Sequence, residues 1–135
     1  MKIKDIVVCL ETLASPSLQE SYDNVGLLTG NNNWECSGII CTLDATEEVI
    51  AEAIAKGCNL VVAHHPIIFG GLKKMNGNNY VEKTIIAAIK NDIAIYAVHT
   101  ALDNHQNGVN AIFCMALGIE ASKVLIPKPN YIQKL

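Results

Sequence analysis

Apolar residues along the chain recur with two periods, one typical of amphipathic helices and one typical of strands. Four stretches carry apolar residues every three or four positions and are predicted to be helices: 3–14, 46–56, 80–90 and 108–117. Four short runs with β-branched residues are predicted to be buried strands: 38–43, 59–63, 93–98 and 123–126. Strands and helices alternate after the first helix, as in right-handed crossovers. The pattern predicts an α/β fold of three layers, α/β/α, around a largely parallel or mixed sheet.

Local signals refine the ends of these elements. Gly57 and Gly118 follow two of the helical stretches and are predicted to end them. Asp44 stands three residues before Glu47, an arrangement typical of a helix cap, so Asp44 is interpreted as structural. The polar segment 18–35 has neither period and is predicted to be a long loop. Loops of this length in a compact domain are more often functional than incidental.

Composition excludes several classes of protein. At 135 residues the chain is predicted to form one domain, 1–135, and its 50% hydrophobic and 5% aromatic content indicates an aliphatic core. The net charge is −3 without a basic patch, so nucleic acid is not an expected partner. No apolar run reaches the length of a membrane span, so no membrane contact is expected. Five scattered cysteines without a Cys-x-x-Cys pair indicate reduced thiols and a cytoplasmic location.

Polar residues with metal-binding side chains follow three of the predicted strands. Asp44 follows the strand at 38–43, His64 and His65 come directly after the strand at 59–63, and His99 and Asp103 follow the strand at 93–98. Because the carboxyl ends of parallel strands meet at one edge of a sheet, these side chains are expected to lie close together. Imidazoles with a carboxylate suit Zn, Fe, Mn and similar divalent ions.

The adjacent histidines are the sharpest of these signals. Successive side chains of an extended segment point in opposite directions, and Pro66 favours an extended His65. Two such imidazoles reach two ions a few ångströms apart more easily than they chelate one. The alternative is one core histidine and one loop histidine, and metal binding is favoured over it. Asp103 is interpreted as a ligand or metal bridge in preference to a cap, because the next helix begins several residues later.

The remaining polar residues have open interpretations. His99 is placed to act as a proton donor or as a partner of a ligand, and simple packing is an equal alternative. His105 is interpreted as a solvated loop residue. Lys73, with Lys74, follows the histidine loop and could contact an anionic substrate, although exposed lysines are common. Walker, G-x-G-x-x-G and G-x-S-x-G motifs are absent from the sequence, so phosphate-loop and serine-nucleophile chemistry lose support.

Three ordered motifs resemble a known family. The segment 60–69, LVVAHHPIIF, closely resembles the histidine loop of the Ngg1-interacting factor 3-like family, whose members are also described as GTP cyclohydrolase 1 type 2 homologues. The segment 95–104, IYAVHTALDN, looks like the second motif of that family. The segment 22–27, YDNVGL, looks like its early Trp-Asp-Asn motif, with Tyr in place of Trp. The similarity runs in register from Met1 to about residue 130.

The resemblance implies a site of two divalent metal ions (Zn, Fe or Mn), with His64 and His65 each on one ion and Asp103 on one of them. It also implies a hexameric homo-oligomer and hydrolysis of a small molecule, either a nucleotide by GTP cyclohydrolase-like chemistry or a phosphoester. In that interpretation His99 is the acid or base, and Asp23 and Lys73 contribute to the substrate pocket.

The family pattern has a second α/β half, which supplies a His-x-x-x-Glu pair to the site. This sequence matches the first half of a duplicated two-half fold, and the second half is absent from it. After Asp103 its only histidine is His105 and its only acidic residue is Glu120, so neither completing ligand is present. The alternative function is a non-enzymatic, metal-stabilised oligomeric scaffold or regulatory interaction protein.

Overall fold

A computed structural model of the chain describes residues 1–127. Within that range it contains five α-helices: α1 (Ile3–Leu13), α2 (Glu47–Lys56), α3 (Tyr80–Lys90), α4 (His99–Asp103) and α5 (Val109–Ala116). Over the same residues it contains four strands: β1 (Gly26–Thr29), β2 (Ile39–Thr42), β3 (Leu60–Ala63) and β4 (Ala94–Ala97). A short 3₁₀ helix, Pro16–Leu18, follows α1.

The four strands form one mixed sheet in the order β1-β4-β3-β2. Strands β2, β3 and β4 are parallel, and β1 pairs with β4 in the antiparallel direction. In the parallel register Ala63 lies opposite both Thr42 and Ala97, so all three strands end at the same level. The predicted mixed α/β sheet is confirmed. The duplication of the fold, with 1–135 as one half, stays a prediction.

Each face of the sheet packs against helices, which gives the three predicted layers. One face packs on α1 through a cluster of buried residues: Ile3, Val7, Leu60, Val62, Ala94, Tyr96 and Val98. The opposite face packs on α2 and α3 through a second cluster: Ala45, Ile50, Ala53, Val61, Ala63, Ile67, Ile85, Ala88, Ile93 and Ile95. Strand β3 is apolar throughout because its alternate side chains enter different clusters and both faces are covered.

Side-chain caps set the starts of α2 and α3. The hydroxyl of Thr46 accepts a hydrogen bond from Val49 N at 3.3 Å, so Thr46 is the N-cap of α2. The interpretation of Asp44 as that cap is therefore wrong. Asn79 caps α3 by accepting from Glu82 N at 2.9 Å. Gly57 ends α2 in the left-handed conformation at φ 66°, as its position predicts.

Three predictions of secondary structure are corrected. The segment 18–35 is not wholly a loop, because it contains β1, which pairs with β4. Residues 123–126 form no strand. The segment after β4 turns at once into the short helix α4, which the sequence pattern does not predict. The predicted helices at 3–14, 46–56, 80–90 and 108–117 are confirmed within one residue at each end.

Helix α5 leaves an apolar surface uncovered. None of its residues is buried, and Ile112, Phe113 and Met115 are 59%, 66% and 69% exposed. Among residues 1–127, no helix combines the length and apolar character needed to cross a membrane. Contiguous exposed apolar surface of this kind is typical of a protein–protein contact.

We expect this surface to drive self-association. A variant with Ile112→Ser and Phe113→Ser should elute later than the wild type in sizing chromatography, because the apolar area that favours association is reduced. The control is Ile89→Ser, which changes an equally exposed isoleucine on α3. A monodisperse wild-type monomer would contradict the prediction.

Candidate metal centre

The pairing of β3 with β4 places three histidines at one edge of the sheet. His64 and His65 follow β3 directly, and His99 lies two residues after β4. The backbone continues the parallel ladder past the strand ends, because His99 N donates to His64 O at 2.9 Å. His65 N donates to Leu43 O at 2.9 Å, which ties the same segment to the end of β2. The expected convergence of these residues at the carboxyl edge is therefore present.

The three imidazoles form a compact group. Their ring centroids lie 4.9 Å apart for His64 and His65, 5.5 Å for His64 and His99, and 5.6 Å for His65 and His99. One potential ligand atom from each ring lies within 4.8 Å of the other two. Such a set of nitrogen donors could hold a divalent metal ion. The sequence linked His99 to this site as an acid, base or partner, and the structure adds it to the donor group itself.

Asp103 joins the group through His64. Helix α4 brings its carboxylate back toward the sheet, and Asp103 Oδ1 lies 3.7 Å from His64 Nε2. The two side chains are 32% and 20% exposed, so solvent reaches both. His64, His65 and Asp103, the three predicted metal ligands, therefore lie side by side. Their role as ligands stays a prediction.

Burial favours the neutral form of His64. Desolvation lowers the pKa of His64 below its ordinary value of 6.5, and the positive charges that His65 and His99 can carry act in the same direction. The Asp103 carboxylate opposes this shift but does not reverse it. A neutral imidazole is the form that binds a metal ion, so the local environment prepares His64 for that role at neutral pH.

Asp44 contacts His65, a pairing that the sequence pattern did not indicate. Its Oδ1 lies 2.7 Å from His65 Nδ1, across 21 residues of chain. The Asp44 side chain is 59% exposed. The two residues also line a cleft of about 250 Å³ beside the histidines, with Ala45, Thr46, Pro66, Ile67 and Tyr80.

Asp23 contacts His99 from the opposite side. Its Oδ1 lies 2.8 Å from His99 Nδ1, and its side chain is fully buried. The same carboxylate accepts hydrogen bonds from Asn24 N at 2.7 Å, from Thr100 N at 3.1 Å and from the Thr100 hydroxyl. Burial alone raises the pKa of Asp23, but the hydrogen bonds from Thr100, His99 and Asn24 together lower it below 3.8. Asp23 was expected in the substrate pocket, and the structure places it behind His99.

The other predicted residues lie farther out. Lys73 lies on the exposed connector between β3 and α3, and its contact with substrate stays a prediction. His105 accepts a hydrogen bond from Asn107 N at 3.2 Å in the turn before α5 and is not part of the histidine group. Phe69 was not singled out in the sequence, yet its ring centroid lies 6.0 Å from that of His99 and 6.3 Å from that of Tyr22.

The backbone at His99 is unusual. Its φ of 23° lies in a region that non-glycine residues rarely adopt. The neighbouring hydrogen bonds, from His99 N to His64 O and from Thr100 N to Asp23, hold the chain in this conformation. Strained backbone that the surroundings enforce is concentrated at functional sites in proteins. This turn is what aims the His99 ring into the group.

Fold and site together define an α/β protein with a histidine and carboxylate centre at the carboxyl edge of its sheet. The model of the family Duf34/NIF3 (NGG1p interacting factor 3) matches residues 1–133, and the chain belongs to this family. The resemblance seen in the three sequence motifs is therefore confirmed.

Several bacterial relatives of this chain are described as GTP cyclohydrolase 1 type 2 homolog. The one from Clostridium acetobutylicum is 39% identical over 125 residues, which cover 93% of this chain and 47% of the relative. The one from Staphylococcus aureus is 40% identical over 125 residues, which cover 93% of this chain and 34% of the relative. The chain thus spans about a third to a half of the length of these relatives.

Solved structures share the fold at similar levels of identity. The crystal structure of a Bacillus cereus protein related to NIF3 superposes with a TM-score of 0.89 at 39% identity, over 95% of this chain and 35% of that one. Reduced HcgD from Methanocaldococcus jannaschii gives a TM-score of 0.86 at 31% identity, over 93% of this chain and 50% of that one.

Acid should destabilise the metal-free protein through His64. The folded pKa of His64 lies below the unfolded value of 6.5, so below pH 6.5 the unfolded chain binds more protons. The stability that the neutral ring provides is complete above pH 6.5 and is lost as the pH falls toward the folded pKa. His64→Gln should reduce this loss, measured as urea unfolding midpoints at about pH 7.5 and about pH 5.

The matched control is His105→Gln, because His105 lies outside the histidine group. This variant should keep the acid sensitivity of the wild type. An identical loss of stability in the wild type and in His64→Gln would show that the burial of His64 does not perturb its protonation.

Proposed function

We propose that this protein is a metal-dependent hydrolase that acts on a nucleotide or a phosphoester, with His64, His65 and Asp103 as ligands of two divalent ions. The observation that supports it most directly is the convergence of three imidazoles, with donor atoms within 4.8 Å of one another, beside a carboxylate. The core does not need these histidines, because apolar clusters already cover both faces of the sheet.

The donor chemistry fits a divalent transition metal. Imidazole nitrogen and carboxylate oxygen are common ligands of Zn, Fe and Mn, and His64 is biased toward its neutral form. When bound, a pair of such ions supplies a Lewis acid and an activated water for hydrolysis. The proposal of two ions follows the family resemblance, and the adjacent imidazoles, which come from neighbouring residues of one loop, supply one ligand for each ion.

The other residues take roles that follow from their positions. We assign His99 to proton transfer, because its ring faces the group while its Nδ1 is held by Asp23. Lys73, on the exposed connector, supplies a positive charge for an anionic substrate. Asp23 contributes to the substrate pocket only through His99, since its carboxylate is fully buried.

A nucleotide substrate is supported by the relatives described as GTP cyclohydrolase 1 type 2 homolog. Because this chain spans about a third to a half of those relatives, catalysis is proposed for the protein in the form that completes the site. The exposed apolar face of α5 supports a homo-oligomer, and the resemblance implies a hexamer. A cytoplasmic location remains a prediction from the reduced cysteines.

The exposed apolar surface of α5 favours a second candidate function, a metal-stabilised scaffold without catalysis. Helix α5 has no buried residue, so a large part of its apolar surface is free to contact a partner. In that case the metal ions would tie β3, β4 and α4 together. The two functions differ in one measurable property, because only the hydrolase turns over a substrate.

Metal content tests the ligand assignment. His64→Ala and His65→Ala should each weaken metal binding by at least about tenfold, since even loss of an outer partner of a ligand reduces affinity by roughly 10–100-fold. Elemental analysis and circular dichroism of the purified variants provide the measurement, with about two ions per chain expected for the intact site. His105→Ala is the control and should retain the metal. Wild-type metal content in both variants would remove the assignment.

Turnover tests the hydrolase. With metal added, the wild-type protein in the form that completes the site should release phosphate from a phosphoester or open the purine ring of GTP. His99→Ala should lower kcat by about 10²–10⁴-fold, the usual contribution of a positioned acid or base, while metal content is retained. Full activity in His99→Ala would contradict its role, and absence of turnover in the metal-loaded wild type on both substrate classes would favour the scaffold.

A further inference from the structure

We propose that Asp44 is a positioning residue for His65: it fixes the ring in the tautomer that carries hydrogen on Nδ1 and so presents Nε2 to the histidine group. This role extends the proposed function, on which it rests. Asp23 holds His99 in the same way, so two rings of the group are oriented by separate carboxylates.

The geometry of the pair determines which nitrogen remains available. Asp44 Oδ1 and His65 Nδ1 are 2.7 Å apart, well within hydrogen-bond distance. An ionised carboxylate only accepts hydrogen bonds, so Nδ1 must be the donor. A neutral imidazole has one N–H, and the lone pair of His65 is therefore on Nε2. Ligand histidines of metalloproteins commonly donate their other ring N–H to a carboxylate, which fixes the tautomer and the ring orientation.

A purely structural role for Asp44 is poorly supported. The cap of α2 is Thr46, whose hydroxyl accepts from Val49 N. The side chains of Asp44 and His65 are 59% and 45% exposed, and ion pairs of such exposure contribute little to stability. The consequence of the contact is therefore local. It limits the rotation of one ring that borders both the histidine group and the neighbouring cleft.

The two carboxylates differ in how firmly they hold their rings. Asp23 is fully buried and accepts hydrogen bonds from Thr100 and Asn24 in addition to its contact with His99. Several contacts therefore fix its position. Asp44 is largely exposed and belongs to neither buried cluster of the core. Replacement of Asp44 should change the site and leave the fold intact.

Long-range ¹H–¹⁵N NMR of the metal-free protein, at a pH where the imidazoles are neutral, reads the tautomer directly. The wild type should show His65 with hydrogen on Nδ1. Asp44→Ala should shift His65 toward the Nε2–H form, which free imidazole side chains prefer in water, and should weaken Zn²⁺ binding by roughly tenfold, the lower end of the effect of losing such a partner. Asp44→Glu should restore part of both.

Glu47→Ala is the matched control, because it removes a carboxylate three residues away at the start of α2. It should leave the tautomer and the Zn²⁺ affinity of the wild type unchanged. An Nε2–H tautomer of His65 in the wild type, or wild-type Zn²⁺ affinity in Asp44→Ala, would overturn the inference. Failure of the wild type to bind Zn²⁺ would instead overturn the proposed function, because the tautomer is measured without metal.

Discussion

The parallel pairing of β3 with β4 is the constraint on which the candidate site depends. With Ala63 opposite Ala97, the residues that follow the two strands emerge at the same level of the sheet. One further backbone hydrogen bond, from His99 N to His64 O, locks the emerging segments together. A shift of register would separate the imidazoles and also move every side chain of β3 out of its cluster. The core that holds the sheet together therefore also fixes the spacing of the site.

Each of the three histidines of the group lies beside its own carboxylate, and the three carboxylates differ in burial. Asp23 is fully buried behind His99, Asp103 is partly exposed beside His64, and Asp44 is largely exposed beside His65. The carboxylate contacts of the site thus range from fully buried to largely exposed. Desolvation keeps His64 biased toward the neutral form, although carboxylates surround the group. Such an arrangement is suited to receive a cation, because the His64 ring is biased toward its neutral form and carboxylates lie beside the group.

The sequence predicted those features that depend on local pattern and on strand order. The helix at 80–90 follows from its periodicity, and the meeting of His64, His65 and His99 follows from parallel strands that end at one edge. Strand order also brings Asp44 to the edge where His65 lies, but the hydrogen bond between them was not predicted, because Asp44 has the spacing of a helix cap and was interpreted as one. Strand β1 was not predicted either. Its four residues are all half-buried and show no alternation, and their extended conformation depends on pairing with β4.

The central claim is that a divalent metal ion binds at the histidine group. Anomalous X-ray diffraction from crystals of the metal-loaded protein tests this most directly, because scattering on either side of the absorption edge of the metal identifies the element and its position. We expect an anomalous peak at about 2.0–2.2 Å from a ring nitrogen of His64 or His65, with a carboxylate oxygen of Asp103 in the same coordination sphere. A metal peak bound elsewhere on the chain, with the three imidazoles free of it, would contradict the account.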